Sequence, residues 1–264
     1  MLALLSPAKT LDLDPADPKL PHTLPAFMSD TQALHKVVKR LSARALADLM
    51  DLSESLAELT RERFQDWTVE HAPPRAKQAL LTFAGDVYVG LDAASLKAAD
   101  LAFAQDRLRV LSGFYGLLRP LDLMLPYRLE MGSKVETRRG KDLYAFWGDR
   151  LAKHLVAELD GHADRTIVNL ASNEYWKAVD AKALAKAGVP VLEIAFQELR
   201  DGEAVTYALF AKKARGMMAR HLVTRRVERV EGLRAFATAD YRFDEARSSA
   251  GRWVFTRPFR KAGG

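Results

Sequence analysis

The chain opens on an unbroken apolar run, Met1-Leu2-Ala3-Leu4-Leu5, that stops at Ser6-Pro7. Its length suits a strand buried on both faces and falls far short of a membrane span or signal peptide. Residues 10–28, rich in Pro and Asp, read as a long loop. Helical patterns follow over residues 29–41, 43–50 and 53–66, with Leu34, Val37, Val38 and Leu41 at helical spacing. Pro73-Pro74 breaks the run. Residues 100–107 continue as a helix, 108–111 read as a strand or buried turn, and 141–159 as one long amphipathic helix bearing Phe146 and Trp147.

Strand patterns return at residues 166–171 and 189–196, the second weakened at its start by Pro190. The turn signal Arg200-Asp201-Gly202-Glu203 predicts a hairpin whose second strand covers 205–209. Residues 210–223 follow as an amphipathic helix, and 253–255 as a last strand. Strands and helices intermingle without strict alternation, which predicts a mixed α/β fold: a mixed sheet covered by helices. No internal repeat or linker divides the chain, so a single compact domain over residues 1–264 is expected. Neither G-x-G-x-x-G nor a P-loop occurs.

Composition narrows the chemistry. With 264 residues and 48% hydrophobic content the chain can build a substantial core. The absence of cysteine excludes disulfides, zinc–thiolate sites, iron–sulfur clusters and a peroxidatic thiol. The histidines, at 22, 35, 71, 154, 162 and 221, include no pair at i, i+3 or i+4, so no metal site and no cofactor are expected. The expected location is the cytoplasm, with no membrane association and no obligate protein partner.

Charge changes the picture more than composition does. The chain carries a net charge of +6. Between residues 212 and 234 stand Lys212, Lys213, Arg215, Arg220, Arg225, Arg226, Arg229 and Arg234, opposed only by Glu228 and Glu231. The surplus therefore lies in one stretch, as a polyanionic partner would require. On a helical wheel Lys212, Lys213, Arg215 and Arg220 share one arc, while Phe210, Ala211, Ala214, Met217, Met218 and Leu222 fill the other. Gly216 and Ala219 fall between the basic side chains, where small residues would admit a bulky phosphodiester backbone. A solvated basic face is the plainer account of the same pattern.

A second candidate is the stretch Leu111-Ser-Gly-Phe-Tyr-Gly-Leu-Leu-Arg-Pro120. Gly113 and Gly116 flank an aromatic pair, and Arg119 follows. Glycines at such positions can open backbone N–H groups to a phosphate. A structural turn with Phe114 and Tyr115 in the core fits equally well.

Several segments together resemble the peroxide stress protein YaaA family. They are Leu5-Ser-Pro-Ala-Lys-Thr10, the stretch from Leu111 to Asp122, Pro126-Tyr-Arg-Leu-Glu-Met-Gly132, Gly140-Lys-Asp-Leu-Tyr-Ala-Phe-Trp-Gly-Asp149, Asn169-Leu-Ala-Ser-Asn-Glu-Tyr175, Ala211-Lys-Lys-Ala-Arg-Gly216 and Tyr241-Arg-Phe-Asp-Glu245. The resemblance implies a bacterial protein induced by hydrogen peroxide, limiting free iron and DNA damage. It also implies a basic cleft and double-stranded or branched DNA as partner, with a possible helix-hairpin-helix element. The family pattern matches at Lys9, Arg128, Lys212, Lys213 and Arg215. Together with Gly113, Gly116, Arg119 and Arg220 these are the expected DNA contacts.

Catalysis is the rival expectation. Ser6, Lys9, Tyr127, Arg128, Glu130, Asn169, Ser172, Glu174 and Lys177 sit in short polar segments among apolar ones, positions that converge on strand ends in many enzymes. If the protein is an enzyme acting on a nucleotide or nucleic acid, Ser6, Lys9, Glu130 and Lys177 are the catalytic candidates. Structural turns and ion pairs account for the same residues.

Overall fold

The first apolar run does become a fully buried strand, β1 (Leu2–Leu5), in the interior of an eight-stranded sheet. The structure is a computed structural model that describes residues 1–17 and 19–259. Pro18, inside the expected loop, and residues 260–264 of the expected domain lie outside the described residues.

The other strands are β2 (Leu108–Ser112), β3 (Gly116–Leu118), β4 (Ile167–Asn169), β5 (Val191–Arg200), β6 (Glu203–Val205), β7 (Arg242–Ser249) and β8 (Arg252–Pro258). Their order is β3-β2-β1-β4-β5-β8-β7, with β6 paired to β5. β2, β1, β4, β5 and β8 run parallel, while β3, β6 and β7 pair antiparallel to their neighbours. The sheet is mixed, and helices pack on it, as the interspersed pattern predicts. A separate two-stranded pair joins Lys77–Gln78 to Leu123–Met124.

Local signals account for most boundaries. Ser42 and Ser53 accept backbone hydrogen bonds from Ala45 and Leu56, capping helices Ala43–Met50 and Glu54–Asp66. Asp201 and Gly202 both adopt positive φ, the geometry of an Asp-Gly hairpin turn. β5 begins only after Pro190 and runs on to Arg200.

Two expectations need correction, and one strand had no forewarning. The helix expected over 141–159 is two helices, Leu143–Trp147 and Arg150–Leu159. Gly148, at φ +52°, ends the first, and Trp147 is fully buried with its Nε1–H donating to the Gly113 carbonyl. The second hairpin strand stops at Val205, because the chain turns into the long helix Ala208–Thr224. β7 was not anticipated as a strand: its sequence, RFDEARSS, is polar and largely exposed at the sheet edge. Charged edge strands of this kind discourage pairing with other chains and hide the alternation that identifies buried strands.

Of the two readings open for the glycine stretch, the structural turn is the one found: it is the tight buried connection between β2 and β3. Ser112 Oγ accepts from the N–H groups of Phe114 and Tyr115. A Cβ on Gly113 would lie 2.5 Å from the Leu129 carbonyl oxygen, and one on Gly116 (φ +74°) 2.7 Å from the Trp147 ring. Neither glycine offers a backbone face to a partner. Arg119 turns back on the buried carboxylate of Asp122 and the Leu24 carbonyl.

Candidate functional site

The parallel order creates a natural crevice. From β1 the chain crosses to β2 on one side, whereas from β4 it continues to β5 on the other. Segments leaving the carboxyl ends of the adjacent strands β1 and β4 therefore diverge, the switch-point geometry at which open α/β sheets bind ligands. Ser6 follows β1 and Ser172 closely follows β4. The Ser172 N–H donates to Ser6 Oγ (2.9 Å), and the Ser6 hydroxyl donates to Ser172 Oγ (3.3 Å).

Three more segments wall the crevice into a pocket of about 480 Å³. The short helix Asp86–Leu91 supplies Tyr88, whose hydroxyl donates to the Ser6 carbonyl (3.0 Å). The 127–130 segment supplies Tyr127, hydrogen bonded to the Ser112 hydroxyl at 2.6 Å, together with Arg128 and Glu130. The long helix supplies Lys212 and Arg215. Glu174 and Tyr175, from the short helix after β4, complete the lining, and Glu174 Oε1 accepts the Gly132 N–H (2.9 Å).

The lining is mixed in charge: Lys9, Arg128, Lys212 and Arg215 against Asp86, Glu130 and Glu174. Lys9 Nζ stands 2.8 Å from the buried Glu130 Oε1, a close charge contact. The Arg128 guanidinium reaches the same oxygen only at 3.6 Å, and its buried Nε has no acceptor. Arg63, on the Glu54–Asp66 helix, has its pKa lowered by burial and then by the like charge of Arg128. Burial lowers that of Arg215 as well, with Glu193 opposing. Burial raises the pKa values of Tyr88, Tyr127 and Tyr175 above the ordinary phenol value. These phenols stay neutral at physiological pH.

A second, more open concavity of about 820 Å³ lies at the carboxyl end of the long helix. Its cations, Arg225, Arg226 and Arg229, come from a single stretch beside Glu228 and His221. Arg226 is already engaged by Asp100 (2.9 Å) and the Val223 carbonyl. The smaller pocket is the stronger candidate, because polar groups from five separate segments meet there.

The structure therefore gathers Ser6, Lys9, Tyr127, Arg128, Glu130, Ser172, Glu174, Lys212 and Arg215 around one space. Lys213 is exposed on the long helix but does not line the pocket. Asn169 turns away to accept the Ala171 N–H, and exposed Lys177 also lies outside the lining. Arg220 faces inward: its Nη1 donates to the Leu91 and Asp92 carbonyls at 2.9 and 2.8 Å, capping the short helix.

The small residues of the long helix have a different use from the one expected. Gly216 and Ala219 are buried. A Cβ on Gly216 would lie 1.7 Å from the Val87 carbonyl oxygen, and one on Gly90 2.0 Å from that of Lys213. The bulky backbone admitted there belongs to the short helix. Sequence reasoning missed Asp86, Tyr88 and Tyr175 as lining residues. The glycine in Asp86-Val-Tyr-Val-Gly-Leu91, matching the glycine within the basic stretch, is the one signal that these helices meet.

Among the described residues no helix is long and apolar enough to cross a membrane, and no group of three or more His, Cys, Asp or Glu side chains is placed to hold a metal ion. Comparison with known proteins places this architecture among relatives. A family model described as peroxide stress protein YaaA matches residues 1–247. A UPF0246 protein of Burkholderia lata is 48% identical over 259 residues, covering 97% of this chain and 98% of the relative. One from Cellvibrio japonicus is 47% identical over 257 residues, with 97% and 98% covered. One from Caulobacter vibrioides is 46% identical over 258 residues, with 98% and 99% covered.

Proposed function

The chain belongs to the peroxide stress protein YaaA family, and from that premise we propose that it is a cytoplasmic protein that binds double-stranded DNA largely without regard to sequence, limiting oxidative damage and the free iron that causes it. The observation that carries the reading is the convergence of Lys9, Arg128, Lys212 and Arg215, from three distant parts of the chain, on one pocket. Guanidinium and ammonium groups so placed are suited to phosphate oxygens. Lys213, Arg225 and Arg229 are exposed nearby in sequence and extend the set of available cations along and just beyond the long helix.

The contact is smaller than the basic run alone suggests. Arg220 and Arg226 are committed internally, and Arg234 lies over the Phe243 and Trp253 rings. About four phosphate contacts would cost roughly two decades of affinity between 50 and 200 mM salt. The test is a duplex titration at those two concentrations with the wild type and with Lys212, Lys213 and Arg215 replaced together by alanine. Weak or absent binding by the triple variant is expected; an unchanged titration would move the DNA surface elsewhere.

A second reading, an enzyme acting on a nucleotide or nucleic acid, is favoured by the Ser6–Ser172 hydroxyl pair beside the Lys9–Glu130 contact. Ser6 has no basic side chain among its hydrogen-bond partners, and activation of a serine nucleophile calls for one. Binding without turnover is therefore the better-supported of the two.

A further inference from the structure

On the DNA-binding reading a duplex would lie at the mouth of the Ser6 pocket, and the space behind that mouth has its own chemistry. Tyr88, Tyr127 and Tyr175 line it, and two of the hydroxyls are hydrogen bonded within the protein: Tyr88 to the Ser6 carbonyl and Tyr127 to Ser112. Three aromatic residues thus form part of its wall. Aromatic rings around a small cavity suit the flat faces of a nucleobase. The Ser6 and Ser172 hydroxyls supply polar groups for the edge of such a base.

The cations have a matching deficit. The buried Arg128 Nε has no acceptor, and its guanidinium meets Glu130 only loosely. A buried donor without a partner calls for one. Lys212 and Arg215 face the pocket from the long helix. A dianionic phosphate answers all of these at once. The volume of about 480 Å³ lies within the usual range of small-ligand sites.

From these juxtapositions we infer that the pocket is a subsite for one nucleoside monophosphate unit, its phosphate held by Arg128 with Lys212 and Arg215, its base among the tyrosine rings. The inference deepens the DNA-binding reading and rests on it for the source of the ligand. A nucleotide rotated out of a strand and a free nucleotide present the same base, sugar and phosphate, and extrusion is cheapest where a base is unpaired.

The experiment has two arms. In the first, each deoxynucleoside monophosphate is titrated calorimetrically into the intact protein, alongside the phosphate-free nucleoside and inorganic phosphate. At least one monophosphate is expected to bind with Kd below about 1 mM, with nucleoside and phosphate each weaker by about tenfold or more. Arg128→Met should lose that binding, and so should Ser172→Phe, which fills the space by a different route. In the second arm, a perfect duplex is compared with one carrying a single unpaired nucleotide. Tighter binding of the latter, abolished by excess free monophosphate, identifies DNA as the source. Monophosphate binding without that preference identifies the free nucleotide. If no monophosphate binds and the unpaired nucleotide makes no difference, the subsite is overturned whether or not the variants fold, while perfect-duplex binding would leave the wider DNA reading standing. Monophosphate binding with no duplex binding would have the opposite result.

Discussion

Two stretches of the long helix carry the same kinds of residue and do opposite things. Near its start, Lys212 and Lys213 project outward, and Lys212 joins Arg215 at the pocket. One turn further on, Gly216 is buried against the short helix, Ala219 is buried beside it, and Arg220 reaches across to cap that helix's last carbonyls. Basic side chains spaced by small residues describe a surface that receives a phosphodiester backbone, and equally one that receives another helix's backbone. Carbonyl oxygens and phosphate oxygens both attract a guanidinium. The pattern specifies close approach by an oxygen-rich chain without saying whose chain it is.

Gly216→Ala separates these alternatives by the sign of its effect. On a solvent-facing surface of the helix, alanine would stabilise the protein by about 1 kcal/mol through helix propensity. Here the new methyl would sit 1.7 Å from a backbone oxygen that cannot rotate away. The expected outcome is a loss of about 3 kcal/mol or more, read as the midpoint of urea unfolding. An unchanged or raised midpoint would show that the two helices do not meet at this glycine.

Next in size is the triple replacement of Lys212, Lys213 and Arg215 by alanine. It should weaken duplex binding by about two decades at low salt and flatten the salt dependence of what remains. Its thermal midpoint should change far less than that of Gly216→Ala, because both lysines are exposed. A triple variant that binds as tightly as wild type but unfolds early would reverse the assignment of the two stretches.

The contrast also explains what could be read from the residues beforehand. β1, the hairpin turn and the helices after residue 28 were accessible because their signals are local: an apolar run, Asp-Gly, apolar residues at helical spacing. The polar segments around Ser6, Glu130 and Ser172 could be nominated because polar residues among apolar ones are costly unless used. Their meeting point was not accessible, because it depends on which side of β1 each later strand is laid. Tyr88 belongs to a stretch of mixed character that only its packing against the long helix defines. The stretch holding Gly113 and Gly116 stays open between structural turn and phosphate contact for the same reason as Gly216, since their neighbours, Leu129 and Trp147, come from distant chain.

Arg220→Ala tests the inward-facing member of the basic set. Losing charge-assisted bonds to two carbonyls at a partly exposed site should cost about 1–2 kcal/mol. Duplex affinity at 50 mM salt should stay within about twofold of wild type, the result expected of a cation that does not reach phosphate. A tenfold loss of affinity in a fully folded variant would return Arg220 to the DNA surface.

The smallest expected effect concerns another inward arginine. Arg107 Nη1 donates to His162 Nδ1 at 2.6 Å, and the Met1 amine lies 3.0 Å from the same nitrogen. Only a neutral imidazole has a lone pair to accept there. Burial, then the neighbouring amine and Arg107, hold the His162 pKa down to about 4, against an ordinary value of 6.5. In the unfolded chain the ring takes up its proton as pH falls through 6.5, whereas in the folded protein it resists until about 4. The ring's contribution to stability is thus whole above pH 6.5 and is lost progressively between 6.5 and 4. The thermal midpoint should fall by a few degrees across that window, and His162→Gln, which keeps an acceptor oxygen but cannot titrate, should remove this part of the slope. Glu158, held down to about 2 because His154 and Arg109 outweigh its burial, adds its own loss only below about pH 4.5. If the wild type and His162→Gln show the same slope between pH 6.5 and 4, the imidazole does not hold Arg107 inside, and that arginine joins the outward-facing cations.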